Sequence, residues 1–345
     1  MSILKFMKKQ MILIDLGIMI IAVLLGRYYH EFFVYLKAIL PVALFMMLFK
    51  PMVYLDLTSL VKKKSSIKTK YIILLTIFYV LVFPATAFLL EKFFLLLMPG
   101  INSSLLAGLV VLALAPLATS TPAFVELAGG KVQLSLVGVI YTFTLSFAVI
   151  PLYSKIILSS VVFVPVYTLL KSLLIYIIIP LALGQLTKYL VAKLKNKDTL
   201  ENLKAPLEGL SLIGVFLMVF IVFGINGKTI FKEPLFILYG AVIMNVYFFL
   251  RWSLAYLIGK LFSFPIEQNV SFTYSSSYNM TISTAIGIAV FGPMAAVGTV
   301  LGGPLSEMIQ MILLVKFFQV RIERSKEKYR DEVSVKHIIP EDEVL

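Results

Sequence analysis

The sequence predicts an all-α polytopic membrane protein of about ten transmembrane helices. Three observations predict it. Hydrophobic residues make up 60% of the chain and charged residues only 14%, against about 45–50% and about 25% in soluble domains. The apolar residues gather into ten stretches, near 10–26, 36–56, 71–97, 103–128, 132–154, 162–190, 207–225, 234–262, 268–291 and 294–320. Most of these approach or exceed the roughly 20 residues that a spanning helix needs. Finally, Lys and Arg alternate between the intervening loops, with 22 on one side and six on the other. Positive loops stay cytoplasmic, so both termini are expected on the cytoplasmic side of a cell membrane, as an even number of spans requires.

The same arithmetic excludes several classes. The net charge of +13 is an orientation signal in such a chain, and a disordered protein, an ordinary soluble enzyme and a nucleic-acid-binding basic domain are all set aside. The chain has no cysteine, which removes disulfides, thiolate metal sites and Cys nucleophiles. Its two histidines, His30 and His337, have no ligand-like neighbours, so no zinc site or triad is expected. The expected partners are the lipid bilayer and a small-molecule solute. No cofactor is expected beyond a coupling proton or sodium ion.

Taken in order, the first stretch follows a basic start without a small-x-small cleavage site, and reads as a retained helix. The third and sixth are long, which predicts tilt or interfacial ends. Asp15, Lys50 and Glu126 lie near the cytoplasmic ends of their spans and are expected to snorkel or cap. Lys171, a third of the way into span six, either snorkels outward or faces a cavity. Residues 321–345 form a mixed-charge cytoplasmic tail.

Span four reads LALAPLATSTPAFVELAGG, with Pro116 and Pro122 inside it and Thr119, Ser120 and Thr121 between them. A mid-helix proline removes a backbone hydrogen bond and clashes with the preceding turn. Thr121-Pro122 resembles a helix start, with Thr as N-cap and Pro at the first helical position. The expectation is a broken helix whose second half begins near the membrane midplane, its free N–H groups suited to an anion or a polar oxygen. A simple kink with back-bonded hydroxyls is the alternative.

Span nine reads SFTYSSSYNMTISTAIGIAVFG. It packs Ser275, Ser276, Ser277, Asn279, Thr281, Ser283 and Thr284 into ten residues. Hydroxyls alone can join helices, but a cluster this dense with an asparagine in it points to a polar cavity. The substrate-binding set expected from both spans is therefore Thr119, Ser120, Thr121, Ser275, Ser276, Ser277, Asn279, Thr281 and Ser283.

In span ten, Glu307 lies about 20 Å from the outer end at 1.5 Å per residue. A carboxylate at that depth is costly and is a functional hypothesis by default. Arg251, in span eight at comparable depth, could pair with it. Two readings stand and can coexist: a buried Arg251–Glu307 ion pair, or Glu307 as carrier of a cation or proton.

The halves also resemble one another. Ser120-Thr121 precedes Gly129 as Ser283-Thr284 precedes Gly292, at an offset of 163 residues. Five spans per half would place the second half upside down, as in many secondary transporters. The expected units are residues 1–156 and 157–320, each a five-helix repeat, inverted relative to one another, with spans four and nine broken and crossing.

Spans four, nine and ten together resemble the bile acid:sodium symporter and arsenite-permease superfamily. The more detailed match is to the arsenite-efflux permease branch. It rests on Ala115-Pro116 through Gly130-Lys131, on Asn279 through Ala289-Val290-Phe291-Gly292, and on Gly303-Pro304-Leu305-Ser306-Glu307. The motifs cover roughly residues 113–150 and 270–320. The resemblance implies a ten-helix fold, with a core of spans 3–5 and 8–10 and a panel of spans 1, 2, 6 and 7. It also exposes departures. The branch's span-four cysteine falls at Leu117, which cannot bind trivalent arsenic as a thiolate. Of the sodium-symporter ligands, Thr121 and Ser135 keep hydroxyls, but an asparagine falls at Pro122, a threonine at Val139 and a glutamate at Tyr274. Glu307 survives as the coupling candidate, which favours protons over sodium.

The resulting expectation is not an enzyme but a secondary active transporter for a small anion, oxyanion or organic acid, coupled to a proton or cation. An arsenite or metalloid permease without the family cysteine, a sodium-coupled organic-anion symporter and an uncoupled channel are the alternatives.

Overall fold

The computed structural model describes residues 10–55, 66–194, 197–232, 234–301 and 307–336. Side chains are described within these except at 11, 12, 66–68, 194, 197, 198, 236, 237, 301, 307–309 and 325–336. The regular structure in them is helical: α1 (Met11–Tyr28), α2 (His30–Tyr54), α3 (Thr69–Leu97), α4 (Ser103–Ala113), α5 (Thr121–Leu127), α6 (Val132–Leu158), α7 (Val166–Lys193), α8 (Lys204–Ile225), α9 (Pro234–Leu261), α10 (Ile266–Tyr274), α11 (Met280–Phe291), α12 (Pro293–Leu301) and α13 (Glu307–Lys336), with short turns of helix between some of them. Among the described residues, six helical stretches are long and apolar enough to cross a membrane: α2, α3, α6, α7, Thr199–Ile225 and Leu238–Leu261. Large apolar side chains cover the outside, such as Leu96 at 77% exposure and Leu250 at 61%. Such a surface suits lipid rather than water.

The long α3 and α7 each contain a π-helical turn, at Phe78–Val82 and Leu174–Ile178. The cause is local. Pro84 and Pro180 lack the N–H that would bond four residues back, to Val80 and Tyr176, and the turn widens to accommodate them.

The helices pack in two groups. In one, α8 lies against α1 and α2, and α7 lies against α2. In the other, α4 packs on α3, α11 and α12; α5 and α10 pack on α6; and α9 packs on α10. The groups meet where α11 touches α7 and α2, and where α12 touches α8. Lipid tails are as apolar as leucine, so contacts inside a membrane depend on close approach and hydrogen bonds. Gly26 supplies the first for α1: a Cβ there would collide with the backbone of Gly224 in α8. The face of α1 that holds Gly26 also holds Ala22 and Asp15, four and eleven residues earlier. Asp15 therefore does not snorkel. It is 4% exposed, and neither carboxylate oxygen has a hydrogen-bond partner among the described residues. Lys50 pairs with Glu208 at 3.4 Å, while Glu126 and Lys171 are exposed.

Side-chain hydrogen bonds supply the second. Trp252 donates to Gln310, whose amide donates to the Asn245 carbonyl, both at 3.1 Å, which ties α9 to α13. Thr284 and Thr299 join α11 to α12 at 2.7 Å. The start of α4 is capped by Asn102, whose side-chain oxygen accepts from the backbone of Ser104 and Leu105 at 3.0 and 3.2 Å. Asn102→Ala removes both bonds. The expected cost is about 1 kcal/mol, read as a lower melting temperature in detergent that Asn102→Asp restores.

Candidate functional site: the crossing of two broken helices

The helix ending at Ala113 does not continue into the one starting at Thr121. Residues 115–118 have no regular structure and two turn residues follow. Proline at 116 disfavours helical geometry in the residue before it, and Pro122 occupies the first turn of α5. The N-cap of α5 is Ser120, one residue earlier than the sequence suggests. Its side chain makes no capping bond, and the Thr121 hydroxyl is used elsewhere. A second break separates α10 from α11 across residues 275–279. There Asn279 is the N-cap, its side-chain oxygen accepting from the Ile282 amide at 3.0 Å.

The two breaks touch. The Asn279 amide donates to the Pro116 carbonyl at 2.7 Å, in a backbone-to-backbone bond. The Ala118 amide donates to the Ser277 hydroxyl at 3.2 Å, and that hydroxyl also meets the Thr121 hydroxyl at 2.6 Å. Four helix ends therefore converge: the C-terminal ends of α4 and α10, which carry partial negative charge, and the N-terminal ends of α5 and α11, which carry partial positive charge.

Neighbouring helices hold the breaks in place. Tyr79 of α3 donates to the Leu114 carbonyl at 3.1 Å. The Thr142 hydroxyl of α6 accepts from the Leu117 amide at 3.2 Å while donating to the Gly138 carbonyl at 2.9 Å. Tyr71 of α3 and Ser275 share a bond of 2.6 Å. The side chain of Leu117 is fully buried. Three charged side chains are buried among the described residues, Asp15, Glu91 and Arg251, and of these Arg251 hydrogen-bonds the crossing.

The expected site residues divide by what their polar groups do. Ser120 is exposed, and Thr119 and Thr281 are half-buried. Thr121, Ser275, Ser276, Ser277, Asn279 and Ser283 are buried. Within the buried set, Ser276 donates to the Thr273 carbonyl at 2.6 Å and Ser283 to the Asn279 carbonyl at 2.7 Å, both within their own turns. Ser135 is buried at the start of α6 and donates to the Val132 carbonyl at 2.7 Å, a local bond away from the crossing contacts. The side chain of Glu307, and with it the expected Arg251–Glu307 pair, lies outside the described residues, as do residues 303–306.

Tyr71, Tyr79 and Thr142 were not expected at the site. Each is one of several hydroxyls scattered along a mainly apolar helix, and buried hydroxyls need partners. That need is the only sequence signal that could have found them. Glu91 of α3 is a further unexpected buried carboxylate, held by Lys92 at 3.1 Å.

Apolar, lipid-suited helices surrounding two interrupted ones that meet through polar groups define a membrane transporter scaffold. The comparison with known families agrees. Residues 41–233 match the Sodium Bile acid symporter family, and the chain belongs to that family, whose members are transporters rather than enzymes. It is 28% identical over 296 residues to the arsenical-resistance protein Acr3 of Alkaliphilus metalliredigens (strain QYMF), covering 82% of each chain. It is 25% identical over 298 residues to an uncharacterized transporter of Synechocystis sp., covering 80% of this chain and 77% of the other. A second arsenical-resistance protein Acr3, from Corynebacterium glutamicum, is 26% identical over 155 residues, which is 43% of this chain and 41% of that one. The cysteine that the resemblance places in span four is absent here, where the chain has Leu117 and no cysteine at all.

Proposed function

We propose that this protein is a secondary active transporter that moves a small anion, oxyanion or organic acid across the cell membrane by alternating access, coupled to a proton or cation. One observation carries the reading: two interrupted helices cross through buried hydroxyls, and Ser120, Thr119 and Thr281 stand exposed or half-buried beside the two N-terminal helix ends. Free amides and partial positive charge at such ends favour a negative or polar ligand. The proposed architecture has ten spans in two inverted five-helix repeats, residues 1–156 and 157–320, with both termini and the 321–345 tail cytoplasmic. Spans 1, 2, 6 and 7 form the panel against which the remaining helices move. The packing of α1, α2, α7 and α8 on one another supports that division. Thr119, Ser120, Thr121, Ser275, Ser276, Ser277, Asn279, Thr281 and Ser283 form or support the substrate site. Glu307 is the proposed coupling group, with Ser135 as a secondary ion ligand.

The test is uptake or counterflow in proteoliposomes with arsenite, antimonite, borate, small carboxylates and a bile salt, each with an imposed proton or sodium gradient. Glu307→Gln is expected to abolish gradient-driven accumulation. Asn279→Ala, which uncaps α11, is expected to lower transport by at least about tenfold, the factor that ~1.4 kcal/mol represents. Unchanged transport of every solute in both variants would falsify the proposal. Transport that persists in Glu307→Gln without dependence on any gradient would identify a channel instead.

A second reading, metalloid efflux, is favoured by the names of two relatives. In this chain it requires a site without thiolate. Hydroxyls and backbone amides are what the crossing offers.

A further inference from the structure

The C-terminal end of α4 and the break that follows α10 both turn main-chain carbonyl oxygens toward the crossing. The end of α4 also carries partial negative charge. In transporters built on interrupted helices, this arrangement of carbonyls is where an alkali cation is coordinated. Here a side chain occupies it. One terminal nitrogen of Arg251 donates to the Ala113 carbonyl, at the end of α4, at 2.8 Å. The other lies 3.5 Å from the Ser277 carbonyl, within the second break. The guanidinium plane rests over the Phe83 ring, 3.2 Å from its centroid, and the Tyr247 hydroxyl is 3.5 Å away on the same helix. Arg251 is 1% exposed and sits about 15 Å from the C-terminal end of α9 at 1.5 Å per residue.

Holding an arginine there is expensive in a membrane, and three features offset the cost. The ring face attracts the cation, the end of α4 supplies negative potential, and the carbonyls accept its protons. None of the three requires an arginine in particular. What they select is a positive charge.

We propose that the Arg251 guanidinium is a resident cation that takes the place of a bound sodium ion between the end of α4 and the second break, so that the crossing is assembled without sodium. The assignment rests on the transporter reading only for its meaning in coupling. With this position filled by a tethered charge, sodium has no role in closing the crossing, and the driving ion must act elsewhere. Arg251 is a positioning residue on this account. Its charge holds the two breaks at the distance at which Asn279 bonds to Pro116 and Ser277 to Thr121.

The experiment needs no substrate. The melting temperature of the purified full-length protein in detergent is measured in sodium chloride and in choline chloride at equal ionic strength. Wild type is expected to melt identically in both. Arg251→Gln retains hydrogen-bond donors but loses the charge. It is expected to melt lower in choline, and to recover on the order of 5 °C as sodium is titrated in, saturably, because a ligand bound only by the folded state stabilises it by mass action. Arg251→Lys keeps a charge and is expected to be indifferent to sodium. A wild type stabilised specifically by sodium overturns the proposal. So does an Arg251→Gln protein that melts as wild type does, or one that is destabilised with no response to sodium. Should Arg251→Gln fold in neither salt while Arg251→Lys folds in both, the requirement for charge stands. If both fail to fold, wild-type indifference to sodium is decided on wild type alone, and a sodium response there is the overturning result. Failure of the transport assays would leave these melting results unaffected, so the two proposals fail separately.

Discussion

Gly108→Val is expected to yield no folded protein, while Gly17→Val is expected to melt as the parent does. Both glycines are helical and both sit in apolar segments. The difference is what a side chain would meet. At Gly108, in the middle of α4, a Cβ would collide with the Ala295 carbonyl and its backbone neighbours in α12. The obstacle is main chain on both sides, so no rotamer change relieves it. Overpacking a core commonly costs about 1–3 kcal/mol when side chains can yield, and here the helices must part instead. Separation of α4 from α12 would also displace the end of α4 from the crossing. At Gly17 nothing lies within 4 Å of the added atom, and valine in a helix costs only a few tenths of a kcal/mol relative to its neighbours in the ranking. Size-exclusion profiles and melting curves of the two variants in the same detergent check the contrast. Folded Gly108→Val protein with parental stability would mean that α4 and α12 are not packed as described.

Ser277→Ala is expected to reduce transport by at least about tenfold, with Ser276→Ala remaining within about twofold of the parent. The residues are adjacent, buried and chemically identical, so composition cannot separate them. Ser276 donates to the Thr273 carbonyl in its own turn, and that acceptor keeps the Ser276 backbone amide at 3.0 Å when the hydroxyl is lost. Ser277 accepts the Ala118 amide and meets the Thr121 hydroxyl, both from the other broken segment. Removing it strands a buried N–H, at about 1–3 kcal/mol, and takes away two of the bonds that join the segments. Initial rates in proteoliposomes, normalised to folded protein, decide it. Equal losses in the two variants would show that the hydroxyls act only through local helix stability.

Much of the fold was legible because membrane insertion simplifies the alphabet. Pro116 and Pro122 with three hydroxyl residues between them pointed to the first break, and the structure has a break there rather than a kink. The density of Ser275, Ser276, Ser277 and Asn279 announced the second. The family followed from the motifs around these same residues. The partners were not legible. Tyr71, Tyr79 and Thr142 reach the breaks from helices that carry several other hydroxyls, and which hydroxyl faces which partner is decided by packing at long range. Beyond the expected Glu307, whose side chain lies outside the described residues, Arg251 meets the Ala113 and Ser277 carbonyls, and main-chain oxygens are present in every residue and therefore invisible in a sequence. Asp15 was misread. Its distance from the helix end suggested snorkelling, but the face it occupies, shared with Ala22 and Gly26, turns inward against α8.

The bond from the Asn279 amide to the Pro116 carbonyl has a consequence for how this protein can be dissected and how it can move. It is made by two main-chain atoms, so no side-chain substitution at either position deletes the acceptor or the donor, except the replacement of Asn279 by proline. An alanine scan through both breaks would leave this rivet in place and would underestimate how firmly the interrupted helices are joined. A joint of that kind favours displacement as a block. Travel between the two faces of the membrane would then be a sliding of the riveted pair past α2, α7 and α8, with the pair itself keeping its shape around whatever it carries.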